Sequence, residues 1–494
     1  MAAATARGRA NLSAALLDAN PALGSGAPAL RGPGASWTYP DLSQATGRIA
    51  GWLDMHGIGR GDVVLIALAD APRWVALFLG AARVGAICAL AGPRLGDEPL
   101  RALAHGLGPA LVAHDGPRLH PRARQIGDAD LDAIIDDAIP DPGPAAVGGA
   151  DPCYLLLTSG TTGPSKWAVH CHADIRACIA TYGRRVLRLR RGDVTWSMAA
   201  LCSSYGLGNS LYFPLASGAG AWLDDGPPTP ATAERACLQG GATALFGVPT
   251  GWARLTRHAR EGRVDAGAFG GVRLAVSAGE ALHPRVWHAV EQTLGLRLVD
   301  GLGCSEASNL YLSERPGSAR PGSVGVPVPG FELRIAPDGE LLVRGASVMS
   351  GYRDDPAATA RALRDGWLHT GDLVARRPDG RYEFVGRRGE RFKAGGLWVD
   401  PRRVTATLLG EPGVADAGVV GVADAEGVVR VVAVLADAVA RPGLAERAGR
   451  RCEASLAPHE RPRRILVVDE LPVTGSGKVD RAALGRLAAA AVRQ

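Results

Sequence analysis

The chain has 494 residues, 47% of them hydrophobic, and a formal net charge of +6. That length exceeds what one hydrophobic core usually supports, so two or more domains are expected. The charge is small and scattered, with no basic stripe interleaved with aromatics, which argues against nucleic acid as a partner. The eight cysteines form no CxxC pair and no Cys/His zinc spacing, and read as buried thiols of a reducing compartment.

At the N-terminus, "MAAATARGRANLSAALLDANPALG" lacks a continuous apolar core of signal-peptide length. The most apolar stretch, 63–90, is interrupted by Asp70, Pro72, Arg73 and Arg83, so it does not read as a membrane span. A cytoplasmic protein without a membrane partner is expected. The same stretch reads as a strand (63–68), a helix (72–84) and a second strand (86–90), the pattern of a βαβ unit. Buried strands are expected again at 109–114, 242–249 and 272–279, with a helix at 283–294 between sheet segments. Residues 138–152, rich in proline and glycine, read as a surface connection. After about residue 330, alternating short strands and Asp-Gly turns predict hairpins. From 401 onward the pattern is that of a small α+β domain, and 386–392 is the best linker. The expected fold is therefore α/β: a large N-terminal domain of parallel and mixed sheets with flanking helices and a β-rich subdomain, then a small mobile α+β domain. The boundary is placed between 1–388 and 389–494.

Only three of the 55 basic side chains are lysine: Lys166, Lys393 and Lys478. Each lies in a glycine-rich segment, "GTTGPSKW", "RFKAGGLW" and "TGSGKVD". In "YLLLTSGTTGPSK" an apolar strand runs into a loop of glycines and hydroxyls, whose successive N–H groups can wrap phosphate oxygens while the lysine supplies a point charge. It is not a Walker loop: Ser165 stands where glycine is needed, and Trp167 where a hydroxyl is needed.

This loop resembles the phosphate loop of the adenylate-forming enzymes: acyl- and aryl-CoA ligases, adenylation domains and luciferases. Four further segments are similar to motifs of that family, in order: "DGLGCSEASN" (300–309), "GWLHTGDL" (366–373), "GRRGERFKAGGLWV" (386–399) and "LPVTGSGKVDR" (471–481). The resemblance implies a carboxylic acid joined to the α-phosphate of ATP with loss of pyrophosphate, then transfer to a thiol, with ATP, Mg²⁺ and CoA as cofactors. It implies that Thr158, Ser159, Gly160, Thr161, Thr162, Gly163 and Lys166 handle the β- and γ-phosphates. Ser305 would donate to the α-phosphate, and Glu306 would hold Mg²⁺. Asp372 would hold the ribose hydroxyls with Arg387 nearby, and Gly279, Glu280, Asp300 and Gly301 would complete the ATP site. Lys478 would bridge the substrate carboxylate and the α-phosphate, a task suited to a compact ammonium on a flexible stem. Gly389 occupies the hinge position, usually an aspartate or lysine in the family. Lys393 and Gly396 would belong to the face used in the second step. Proline in place of Gly389 is expected to spare the first step and block the second.

Within the family, the resemblance is to the benzoate-CoA ligase group, carried by residues 203–219, 244–255, 277–287 and 311–335. It implies an aryl slot formed by Tyr205, Gly206, Phe246, Gly247, Gly303, Cys304, Ala307 and Asn309. Cys304 reads as pocket wall, because no paired base is visible for a nucleophile. The small, polar run Ala307-Ser308-Asn309 suggests a larger ring, a longer arm such as that of a cinnamate, or a hydroxyl or amino substituent. CoA is the expected acceptor. Alternatives are a carrier-protein phosphopantetheine, ATP-dependent diazotisation of an aryl amine with nitrite, or a non-catalytic binding protein, which intact Lys478, Glu306 and Asp372 oppose. A monomer or homodimer is expected.

Overall fold

The computed structural model describes residues 10–158, 165–394, 396–424, 428–437, 442–473 and 479–493. Ser159, Gly160, Thr161, Thr162, Gly163 and Lys478 lie outside the described residues.

The first βαβ unit forms where the apolar pattern places it. Val63–Ile66 and Ile87–Leu90 pair in parallel around the helix Pro72–Val84, which opens with proline and closes on the left-handed Gly85. Nearly all of this helix is buried, as a continuous apolar run rather than a stripe requires. These strands belong to a seven-stranded sheet that continues through Pro152–Thr158 and Lys166–Cys171 to Gly351–Tyr352. A nine-stranded sheet carries the expected strands Ala244–Gly247 and Leu274–Ala278, followed by Leu298–Gly303. The helix Pro284–Leu294 lies between the last two, with His283 as its N-cap.

Beyond residue 330 the expected hairpins form a five-stranded antiparallel sheet, with Asp-Gly turns at 338–339 and 379–380. The 138–152 connection runs without regular structure up to the strand Pro152–Thr158 and is pinned to the large domain: Arg83 donates to Asp141, and the Ala145 N–H to the Arg83 carbonyl. The small C-terminal domain has a three-stranded sheet, Asp416–Ala423, Val429–Ala436 and Arg464–Val468. The helices Pro401–Leu409, Leu444–Ser455 and Arg481–Arg493 accompany it.

The expected linker is only partly irregular. Its first two residues finish the strand Tyr382–Arg387, and Phe392 opens the hairpin Phe392–Ala394 with Leu397–Val399. Gly389 sits between them at φ +84°, with open space around its Cα. Proline is locked near φ −65°. Gly389→Pro would therefore disrupt the conformation seen here. Among the described residues no helix is long and apolar enough to cross a membrane. All eight cysteines are free thiols.

Candidate active site

Three sheets bring the candidate residues to one cleft. The strand Pro152–Thr158 turns back as Lys166–Cys171, with Thr158 paired to Lys166 and the Thr158 hydroxyl donating to the Lys166 carbonyl. Lys166 Nζ lies 5.3 Å from the centroid of the Tyr352 ring. The Tyr352 hydroxyl donates to Glu306 Oε1 at 2.7 Å. Burial first, then the Glu306 charge, pushes the Tyr352 hydroxyl above its ordinary range, so it stays a donor. A cation, a phenol and a carboxylate thus stand in line where the glycine-rich loop returns to the sheet.

Ser305 and Glu306 form a short 3₁₀ turn, Ser305–Ala307, just past the strand Leu298–Gly303. The turn is held from outside. His170 Nε2 lies 2.8 Å from the Ser305 carbonyl, which can only accept, so this nitrogen carries the proton. The other ring nitrogen faces Asp174 at 2.9 Å and the Ser308 hydroxyl at 3.0 Å. The Tyr154 ring stacks on the imidazole, and its hydroxyl bonds Ser308. The Met349 N–H donates to the Glu306 carbonyl. Sequence reading missed His170, Asp174, Tyr154 and Tyr352. The His/Asp pair at i, i+4, beginning four residues after Lys166, was the available signal.

Asp372 is fully buried. It accepts from Arg387 Nε at 2.6 Å and from the Tyr311 hydroxyl at 2.8 Å. The Asp372 charge holds the Arg387 guanidinium firmly protonated. Cys304 feels the charges of both Glu306 and Asp372. Burial, with those two carboxylates, pushes its thiol well above the ordinary range. An un-ionised thiol is a poor nucleophile, as the pocket-wall reading requires. Asp300 is buried, with Oδ1 lacking a partner, and burial raises its carboxyl strongly.

In the aryl region, the rings of Tyr205 and Phe246 meet edge to face, with centroids 6.3 Å apart. A Cβ on Gly206 would come within 2.0 Å of the Ala200 carbonyl oxygen, and one on Gly303 within 2.4 Å of the Asn309 carbonyl oxygen. A side chain at either position would displace backbone. Gly247 packs on Trp252 and Met198, and Ala307 is buried. The Asn309 amide donates to Tyr212 and its carbonyl accepts the Leu310 N–H. The polarity of Ser308 and Asn309 is thus satisfied within the protein. Asn209 is buried as well, and its side chain meets that of Tyr205.

Gly279 adopts φ +89°, and the Glu280 carboxylate goes to Thr250 and to the Val479 N–H. Gly301 packs against Leu310 and Leu312. In the small domain, Lys393 Nζ lies 5.2 Å from the Trp398 ring centroid, and Gly396 turns the hairpin at φ +82°. Neither is gathered with the residues around Glu306. Among the described residues no group of three His, Cys, Asp or Glu side chains could hold a metal.

Residues 17–353 match the family model described as AMP-binding enzyme, and residues 404–478 match that of the AMP-binding enzyme C-terminal domain. The chain belongs to the AMP-binding enzyme family. Within it, the chain lies near the benzoate-CoA ligases. It is 31% identical over 496 residues to the 3-hydroxybenzoate–CoA ligase of Aromatoleum sp. strain CIB, covering 93% of each chain. It is 32% identical to a p-hydroxybenzoic acid–AMP ligase of Mycobacterium tuberculosis, covering 90% of this chain but 64% of that relative's length. Among solved structures, an anthranilate CoA ligase in complex with anthranoyl-AMP superposes with a TM-score of 0.88 at 27% identity, covering 97% of both chains. A benzoate CoA ligase from Burkholderia xenovorans LB400 gives a TM-score of 0.86 at 28% identity, covering 96% of this chain and 99% of that one.

Proposed function

We propose that the protein activates an aromatic carboxylic acid with ATP to an aryl-AMP, releasing pyrophosphate, and then transfers the aryl group to the thiol of CoA. The observations that carry this reading are the Lys166–Tyr352–Glu306 chain of contacts and the buried Asp372–Arg387–Tyr311 cluster, with Glu306, Asp372 and Arg387 all close enough to Cys304 to act on its thiol. Joining two anions needs charge neutralisation and in-line positioning more than covalent help. The relatives named above, with their hydroxybenzoate, benzoate and anthranilate substrates, support the aryl class.

In this reading, Lys166 and the glycine-rich loop from Thr158 to Gly163 take the terminal phosphates, and Asp372 takes the ribose. Glu306 suits Mg²⁺: it is a hard oxygen donor, and a Mg²⁺ ion bound mainly by phosphates and water needs only one or two protein carboxylates. The isolated carboxylate seen here fits that requirement. The boundary between the two domains falls near Gly389. The buried Asn209 amide beside Tyr205 supplies polar groups suited to a ring bearing a hydroxyl or amino group.

The test is pyrophosphate release with benzoate, hydroxybenzoates and aminobenzoates, with and without CoA. Release of pyrophosphate and AMP with a substituted benzoate is expected, and conversion of ATP to ADP and phosphate would overturn the reading. A second acceptor has one observation in its favour, since the Mycobacterium tuberculosis relative is named for the AMP step alone. Aryl-AMP that accumulates with CoA and is discharged by a phosphopantetheinylated carrier would favour it.

A further inference from the structure

We propose that Glu280 is a positioning residue that docks the small domain for the first half-reaction by holding the backbone beside Lys478; this rests on the function proposed above.

The carboxylate has two separate holds. Oε2 accepts both the Thr250 N–H at 3.1 Å and the Thr250 hydroxyl at 2.7 Å. That fixes Glu280 to the large domain at the start of the helix Pro249–Arg260. Oε1 accepts the Val479 N–H at 2.8 Å, from the residue that follows Lys478 in the small domain. A bond from carboxylate to backbone is charge-assisted and sets the height of the loop rather than the choice of a side chain. Positioning of this kind matters because displacing a reacting group by about 1 Å can cost on the order of 100-fold in rate.

The same helix face extends the contact. Thr250, Arg254 and Arg257 recur at i, i+4 and i+7, so they share one side. Glu470 of the small domain forms an ion pair with Arg254, Nε at 3.1 Å, and accepts a hydrogen bond from Arg257 Nη2 at 3.0 Å. Asp416, the first residue of the strand Asp416–Ala423, faces Glu280, Thr250 and Arg257 across the interface. The docked state thus rests on a few polar contacts, weak enough to release and specific enough to set one register.

The test separates the half-reactions. Glu280→Gln keeps the size but replaces one acceptor with an N–H₂ group, which must then face a donor from Thr250 or Val479. It should lower ATP–pyrophosphate exchange roughly 10- to 100-fold, the usual cost of an unpaired buried donor. KM for ATP, and thioester formation from preformed aryl-adenylate and CoA, should stay within about twofold. Equal loss in both half-reactions, no loss in either, or a loss confined to KM for ATP would overturn the proposal. The charge swap Glu470→Arg should also lower exchange selectively, and adding Arg254→Glu with Arg257→Glu should restore it; failure to restore would remove this face from the latch. Lys478→Ala, measured in parallel, distinguishes the two levels. If it spares exchange, Lys478 does not serve the first step and the Glu280 role falls with it; if the unaltered enzyme shows no exchange with any aryl acid, the function beneath the proposal fails. If Lys478→Ala alone divides the half-reactions, only the Glu280 role fails.

Discussion

The nucleotide side of the large domain and the seam between the domains are built on opposite terms. Asp372 is fully buried, with both oxygens engaged by Tyr311 and Arg387, and the Ser305–Ala307 turn is clamped by His170 and Met349. At the seam, Glu280, Thr250, Asp416, Arg254, Arg257 and Glu470 meet through polar contacts, Arg402 lies over the Phe384 ring, and Gly389, the proposed hinge, sits at φ +84°. Rigid satisfaction suits a site that must hold adenylate through both steps. Sparse contact suits an interface that must part between them. Substitutions in the first region should therefore damage both half-reactions, and those in the second should divide them.

The largest division is expected for Lys478→Ala. It should lose roughly 100- to 1,000-fold in ATP–pyrophosphate exchange, the usual effect of removing a charge aimed at the transition state. Thioester formation from synthetic aryl-adenylate should persist. Lys478→Arg should recover little, because a planar fork spreads the charge that an ammonium concentrates. Near-normal exchange by the arginine variant would show that lysine there is incidental.

Asp372→Asn should weaken both half-reactions together, by roughly 10- to 100-fold, as expected when a charge-assisted bond to a ribose hydroxyl is lost. A loss limited to one step would erase the contrast between the regions. Gly389→Ala should cost the docked state about 1–2 kcal/mol, because a side chain disfavours this left-handed backbone. Exchange should fall several-fold while transfer from preformed adenylate holds. Equal losses would place the hinge elsewhere.

A further division is in pH. Burial first, then the Glu280 charge, raises the Asp416 carboxyl to about 7, against the opposing influence of the Ala417 N–H, Thr250 and Arg257. In an undocked domain it would return toward the ordinary carboxylate value, near 4. Docking then takes up a proton between those values. It is favoured at the acid end, weakens as pH rises through the window by at most about tenfold per unit, and levels off above about 7. Asp416→Asn should flatten that part of the exchange profile, and an unchanged slope would exclude Asp416 from the interface equilibrium.

Much of this molecule was legible in the chain itself. The Pro72–Val84 helix has the same ends in both readings, because proline and glycine punctuate it and every residue between is compatible with burial. The phosphate loop, the Asp372 segment and the Glu306 turn carry local signatures that need no partner to be seen. What only the tertiary structure decided lies where distant segments meet. Ser308 and Asn309 suggested a polar pocket, yet folding turns their groups onto Tyr154, His170, Tyr212 and Leu310. Asn209, unremarked in sequence, is the buried amide set beside Tyr205. Glu280 suggested a nucleotide contact, whereas the fold sets its carboxylate between Thr250 and a backbone N–H 199 residues away. Local propensity and motif chemistry are written in neighbours along the chain. Which polar group is satisfied, and by whom, depends on contacts that no sequence window contains.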